Sequence, residues 1–413
     1  MVLTYLSMTQ RRQIILLYGC TLLGVLMGVL SSIVNTRFLA PDEYGDVRYV
    51  QNVINFLSSL LLFGYFLSGA RLMALSDDRH YVARIKGTMI LVLVTVCLML
   101  VMAMPVCYYL HTGKPAVAVL FLVSMPVCFY PLVMNYLEHT AQGDNQIVHL
   151  SMARLLPFLI YVPVGYAVYS YWGASSIRMV LLQWGIYSLV YVGIIIATRP
   201  AFDNLRPIWS KLQDENRSFG IQLYVGSLVM VSTNYLAGIT LGYFHQDNSE
   251  VGFYTLALTV TAPLAALPAI IGTSYFKKFA TQPGIPRKVI VATVGMTMAT
   301  CLLFVLLIHP VVRWLYTDRY AAVATYAAIL SVGSCIHGIG DMFNRFLCSH
   351  GQGISVRNAS IANGIFKIFG YIVLVALFNT SGAIFTTLVC DVVYFACLIY
   401  YYIRFTKTTT VHG

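Results

Sequence analysis

The sequence is divided into runs of about 20 apolar residues by short polar breaks. A run of ~20 residues crosses the ~30 Å hydrocarbon core of a bilayer as a helix, whose backbone groups are satisfied internally where no water is available. Twelve runs can be delimited, at about 14–36, 47–70, 87–110, 116–137, 151–171, 178–197, 219–243, 252–275, 289–310, 322–342, 358–377 and 382–403. They take up more than half of the 413 residues, so the loops are short and no extramembrane domain fits between them. Only 10% of the chain is charged, against roughly 25% for a soluble protein, whose surface must be solvated. No ten-residue alternating pattern of a membrane barrel is present. The expected class is an all-α polytopic membrane protein of about 12 transmembrane helices. The first run is too long for a signal-peptide core and has no small-residue cleavage site after it, so it is expected to be an uncleaved anchor.

Charge sets the expected orientation, because Lys and Arg accumulate in cytoplasmic loops. With the N-terminus inside, the cytoplasmic segments hold 18 of the 26 basic residues and seven acidic ones, which accounts for the whole net +11. The outer loops and the spans are each neutral in sum. The basicity is therefore topological and requires no nucleic acid. Both termini are expected on the cytoplasmic side.

The two halves of the chain match. The first outer loop, F-L-A-P-D-E-Y-G, ends at Gly45, and its counterpart H-Q-D-N-S-E-V-G-F-Y carries Gly252 in the same place. After span 4 comes N-Y-L-E-H-T-A-Q-G at 135–143, and after span 10 comes N-R-F-L-C-S-H-G-Q-G at 344–353. Both halves start and finish on the same side, as expected of a parallel duplication. The expected organisation is an N-terminal lobe over 1–197, a cytoplasmic linker over 198–218 and a C-terminal lobe over 219–413, with a cavity between the lobes.

An ionised group inside a membrane is costly and usually faces a cavity or a partner. Arg154 in span 5 and Lys367 in span 11 lie in equivalent helices, so each lobe offers one cation to the interior. Snorkelling of either side chain to the headgroups is the alternative. Ser360, Asn363 and Lys367 share one helical face, as do Arg48, Asn52, Asn55 and Ser59 on span 2. Asp391 lies mid-span, where span 6 carries Gln183; it either titrates and couples transport to an ion, or is a satisfied buried carboxyl. Asp341 precedes Arg345 by four residues, the spacing of a local ion pair. Paired prolines in spans 4, 5 and 8 suggest kinks that either help the lobes bend or are static. Gly24 with Gly28, and Gly238 with Gly242, form small-residue packing faces.

Nine scattered cysteines and nine scattered histidines show no metal-ligand spacing, and no phosphate-binding G-x-x-x-x-G-K-[ST] loop occurs. Neither a metal, nor a cofactor, nor catalytic residues are expected, and no step driven by nucleotide hydrolysis is expected of this chain.

The stretch R-F-L-A-P-D-E-Y-G at 37–45 resembles the R-x-L-x-P-E-E-Y-G signature of the polysaccharide biosynthesis family, with Asp42 in place of the usual Glu. E-V-G-F-Y at 250–254 is similar to the family's D-V-G-x-Y, and R-N-A at 357–359 leading to Lys367 resembles its start of span 11. The polar run from His245 to Asn248 departs from the pattern. These are the O-antigen flippases of the multidrug/oligosaccharidyl-lipid/polysaccharide exporter superfamily. The resemblance implies a MATE-like fold of two parallel six-helix lobes in the bacterial inner membrane. It also implies flipping of undecaprenyl-diphosphate-linked oligosaccharide from the cytoplasmic to the periplasmic leaflet by alternating access, together with polymerase and chain-length partners of the same pathway. With that cargo, Arg154 and Lys367 are expected to meet the pyrophosphate, with Asn363, Ser360, Arg48, Asn52 and Asn55 along the sugar route. Asp391, Asp341, Arg345 and Arg37 are left as coupling or gating candidates. Two other readings stay open: a cation-coupled multidrug exporter of the same fold, and a membrane polymerase or ligase, against which the short outer loops argue.

Overall fold

A computed structural model describes residues 10–245 and 247–411, with side chains except at 10–18, 223, 226, 227, 229–232, 277 and 408–411. Gln246 of the polar loop and the side chains of Arg11 and Arg12 lie outside the described residues. The described chain is all helical. Its elements are α1 (Gln10–Phe38), α2 (Pro41–Leu60), α3 (Tyr65–Ala74), α4 (Arg79–Leu110), α5 (Pro115–Ser124), α6 (Tyr130–Gly143) and α7 (Ile147–Trp172). Then come α8 (Ser176–Ala197), α9 (Leu205–Glu215), α10 (Ile221–Phe244), α11 (Ser249–Ser274), α12 (Arg287–Tyr316), α13 (Ala322–Ser349), α14 (Gly353–Phe369) and α15 (Val375–Val411).

Every apolar run falls on helix, and the chain is a polytopic membrane protein. Eight described helices are long and apolar enough to span a bilayer, or nine with the bent pair α2–α3. One of the eight is a continuous 55-residue stretch from Gly353 to Lys407 that covers runs 11 and 12. Its interruption is Asn379, at φ 53° and ψ −134°. Run 4 is two short helices, because Pro126 falls in the break between them and Pro131 in the first turn of α6. Proline there ends a helix outright, where the sequence suggested a kink.

The break in run 2 bends its two halves by 59°. Phe63 and Gly64 both have positive φ, 48° and 79°, a region that glycine enters freely and a bulky residue does not. The side chain of Asn216 holds the turn: its Nδ2 donates to the Phe63 carbonyl at 3.1 Å, and its Oδ1 accepts from Ser68 Oγ at 3.1 Å. A residue of the expected linker thus replaces backbone bonds that the bend removes.

The chain groups into two compact units. The first comprises residues 1–31 and 54–228, the second residues 32–53 and 229–413. In the first unit the core includes Phe66, Phe121, Tyr136, Tyr161 and Trp184, all buried. In the second, Phe279, Phe343 and Phe346 pack with Met342, Tyr394 and Leu398. The face of α12 shows the opposite pattern: Met298, Leu302 and Leu306 are each more than 60% exposed. An apolar strip of this kind is stable against lipid and unstable against water.

Small residues set the helix approaches. A Cβ on Gly24 would lie 3.0 Å from the Arg154 carbonyl oxygen, so α1 and α7 approach closely there. In the second unit a Cβ on Gly238 would run into the Asn52 amide, and one on Gly242 into the Tyr49 ring.

Candidate functional site

In the first unit, Arg154 lies two turns into α7. Its Nη2 donates to Glu138 Oε1 at 2.9 Å and its Nη1 to Thr21 Oγ1 at 2.9 Å. The two charged side chains are 29% and 33% exposed. Glu138 was expected in a loop, but α6 continues to Gly143 and carries the carboxylate onto the face opposite α7. The intramembrane cation of this unit is therefore compensated by an acid that the loop assignment hid.

A second ion pair, with a more deeply buried cation, stands close by in sequence. Lys86 of α4, only 3% exposed, binds Asp144, whose carboxylate also accepts from Gln146. Lys86 was counted with a cytoplasmic loop; the helix begins seven residues earlier, at Arg79, and takes it inside.

In the second unit, Lys367 is half-buried on α14, and its Nζ donates to the amide oxygen of Asn234 at 3.2 Å. Among the described residues no carboxylate lies within ion-pair distance of it. Asn363, one turn away, is buried at 7%, and its Oδ1 has no hydrogen-bond partner among the described residues. Ser360 continues the same face and is half-buried. The α-helix then widens into a π-turn at Gly370–Leu374, an irregularity often found at functional positions.

On α2, Arg48 lies over the Tyr44 ring at 4.8 Å and donates to Gln51 Oε1 at 2.5 Å. Asn52 Nδ2 donates back to the Arg48 carbonyl at 2.9 Å. Asn55 is half-buried, and Ser59 is closed off by its bond to the Phe56 carbonyl at 2.7 Å. The stripe exists as a helical face. However, Arg48 and Asn52 belong to the second compact unit and Asn55 and Ser59 to the first.

Asp391 is buried at 8% and bonds His337 Nδ1 at 3.0 Å. The His337 ring stacks on Tyr394 at 4.7 Å, and Tyr394 in turn donates to Asp341 Oδ1 at 3.0 Å and accepts from Asn344 at 2.7 Å. A polar chain thus follows the seam between α13 and α15. The sequence did not single out His337, a lone histidine in an apolar run. Its only signal was the four-residue spacing to Asp341 on one helix face. The expected Asp341–Arg345 ion pair does not form: Asp341 is taken by the Tyr394 hydroxyl from the neighbouring helix, and Arg345 is exposed.

The 37–45 signature builds the joint at the end of the second unit where the loops after the first and seventh expected spans meet, the odd-loop end. Arg37 Nε donates to the Leu315 carbonyl at 3.4 Å, and the Leu39 carbonyl accepts from Tyr320 at 3.1 Å. Glu43 accepts from the Ala40 amide at 3.3 Å, closing the first turn of α2 as half of a capping box. Burial, reinforced by Tyr44, Asp42 and Glu43, pushes the Tyr320 phenol well above its ordinary range and keeps it a donor. A Cβ on Gly45 would strike the Asn248 carbonyl, and one on Gly252 would meet the Pro41 carbonyl oxygen and the Gly45 backbone at 3.1–3.2 Å. Asn248 Nδ2 ties the two loops by donating to Asp46 at 2.7 Å. The two repeat-related glycines, matched by spacing, lie against each other. Further along, Tyr254 of the second motif bonds Thr387 at 2.7 Å.

A family model described as "Polysaccharide biosynthesis protein" matches residues 11–276, more than half of the chain and inclusive of the motifs at 37–45 and 250–254. The chain belongs to the polysaccharide biosynthesis protein family. No curated protein matches it significantly. Among solved structures, this family member is similar to the lipid II flippase MurJ in an inward closed conformation, with TM-score 0.73 and 11% identity over 96% of this chain and 91% of that one. It is also similar to an inward-facing multidrug resistance MATE family transporter, with TM-score 0.68 and 15% identity over 93% and 96%. A transporter of the same superfamily from Pyrococcus furiosus, described as having a binding pocket of reverse polarity, gives 0.60 and 14% over 96% of each chain. At these identities the likeness establishes the fold, an all-α transporter and flippase fold spanning nearly the whole chain. Among the described residues, no group of three metal-ligating side chains occurs.

Proposed function

We propose that this protein flips undecaprenyl-diphosphate-linked oligosaccharide repeat units, of the O-antigen or a related polysaccharide, from the cytoplasmic to the periplasmic leaflet by alternating access. The observation that carries this reading is Lys367: an ammonium within the apolar part of the chain whose hydrogen-bond partner is a neutral amide. Leaving such a charge uncompensated in lipid is costly unless an anion arrives to meet it. A pyrophosphate headgroup supplies that anion, and the adjoining Asn363 amide oxygen, buried and unpartnered among the described residues, accepts a sugar hydroxyl or acetamido N–H when the alternating-access change uncovers it. Arg154 contributes in a second way. Its guanidinium has five donors, of which Glu138 and Thr21 take one each, so it can engage a phosphate oxygen while its carboxylate partner holds it in place. Arg48, Asn52 and Asn55 provide amide and guanidinium donors for the glycan. Family membership supports the glycan part of the cargo, and the fold shared with MurJ supports the lipid carrier.

The His337–Asp391 pair is the coupling element in this reading, since buried Asp and His chains in membrane proteins mark proton routes. We place the protein in the inner membrane with both termini cytoplasmic, working beside a polymerase and chain-length regulator and catalysing no covalent step itself. The test is a deletion strain, which should accumulate lipid-linked repeat units on the cytoplasmic leaflet and lose surface polysaccharide. A strain with normal polysaccharide and raised sensitivity to cationic drugs would instead establish the multidrug exporter.

A further inference from the structure

At the odd-loop end of the second unit lies a cavity of about 490 Å³, within the ~300–1,000 Å³ range of small-ligand sites. It is separate from the Lys367 face and has no lysine or arginine in its lining. Three segments build it: the loop entering α11, the start of α13, and the interruption around Asn379. Glu250 is its fixed point. One carboxylate oxygen accepts from Tyr326 at 2.9 Å and from Thr380 at 2.7 Å. Its other oxygen makes no hydrogen bond among the described residues. Thr380 is buried at 5%, so the carboxylate is held from beneath.

The interruption supplies a further wall. Asn379 has φ 53° and ψ −134°, far from helical geometry and outside the regions that non-glycine residues prefer. Its backbone leaves the helical ladder there, and Asn379, Thr380 and Ser381 line the cavity. Strained backbone of this kind persists where the surroundings over-determine it, and such positions cluster at ligand sites. Phe378, largely exposed, adds an apolar edge.

We propose that this cavity is a binding site for an uncharged sugar residue. A carboxylate held by two donors accepts sugar hydroxyls, an amide and two hydroxyl side chains both donate and accept, and an aromatic edge covers the C–H face of a pyranose ring. Asp247 and Glu250 give the wall negative charge, so a pyrophosphate is repelled. His245 lines the cavity as well, but His245, Asp247 and Glu250 do not come together as a metal-ligand group among the described residues, so a metal ion is disfavoured too. On the flippase reading, on which its biological role rests, the cavity takes the glycan at the odd-loop end while the cationic face takes the headgroup.

The experiment uses the full-length protein in phospholipid nanodiscs, with saturation-transfer NMR to maltose, cellobiose and N,N′-diacetylchitobiose. At least one disaccharide should receive saturation. Glu250→Gln and Asn379→Gly should each weaken its binding about tenfold, the scale of losing a hydrogen bond to a charged group, and Leu302→Ala, on the exposed apolar strip of α12, should leave it unchanged. Asn379→Gly is the second safeguard, because glycine accepts the backbone conformation and removes only the amide. No saturation of any disaccharide, or saturation equal in all variants, would overturn the site. Binding of tetraphenylphosphonium that depends on Glu250 would overturn it in favour of an organic cation site. Disaccharide binding lost in both variants, alongside normal polysaccharide in the deletion strain, would keep the cavity and remove the flippase reading.

Discussion

Arg154 and Lys367 lie in helices that the sequence pattern matches to each other, yet their surroundings differ. Arg154 is held between a carboxylate and a hydroxyl, each at 2.9 Å, and a Cβ-free position on α1 lets the two helices close on it. Lys367 is half-buried beside an amide, with an unpartnered amide oxygen one turn away. A guanidinium with several directed donors can serve as a structural link and still offer N–H groups, whereas an ammonium is a compact charge that readily changes partners. The difference suggests that the first unit positions its cation and the second unit exposes one.

The largest effect should come from Lys367→Met, which is expected to abolish surface polysaccharide, scored on a lipopolysaccharide gel, at unchanged membrane level of the protein. Lys367→Arg should retain part of the activity. Full complementation by the methionine variant would erase the contrast. Next, Arg154→Gln should reduce both transport and protein level, because it strands Glu138; with a pair this exposed the cost is about 1–2 kcal/mol. The double variant Arg154→Gln with Glu138→Gln should recover the protein level on a thermal melt without recovering transport. If the double variant also transports, Arg154 is a structural link alone. Asn234→Leu, which removes the Lys367 anchor, should lower flipping several-fold by freeing the ammonium, on the order of the ~1 kcal/mol of one hydrogen bond. The smallest effect is expected for Gly24→Ala, whose Cβ would lie 3.0 Å from the Arg154 carbonyl. A loss of about 0.5–1 kcal/mol in thermal stability with transport intact would show that α1 and α7 separate slightly and keep the Arg154–Glu138 bond.

Some of this was legible in the chain and some was not, for reasons that particular residues show. Arg154 and Lys367 stood out because a charge within an apolar run is conspicuous in one dimension. Glu138 did not: it sits just past the end of an apolar run, and only the continuation of α6 to Gly143 turns it toward Arg154. The Asp341–Arg345 spacing is favourable for a local pair, but the Tyr394 hydroxyl on a neighbouring helix competes for the same carboxylate and takes it. His337 carried no motif, and its meaning depends on Asp391, 54 residues away. The two signature glycines were matched as repeats by counting; their mutual contact, and the Asn248 bond that ties it, belong to packing.

By itself the sequence determined the membrane class and the positions of the apolar runs, because hydropathy is summed residue by residue along the chain. Which acid compensates which cation, where helices break, and which polar groups face a cavity were decided by tertiary structure. Those outcomes depend on how each helix is rotated and where its neighbour's donors fall. A difference of one helical turn, ~5.4 Å along the axis, is enough to exchange a salt bridge for a hydrogen bond.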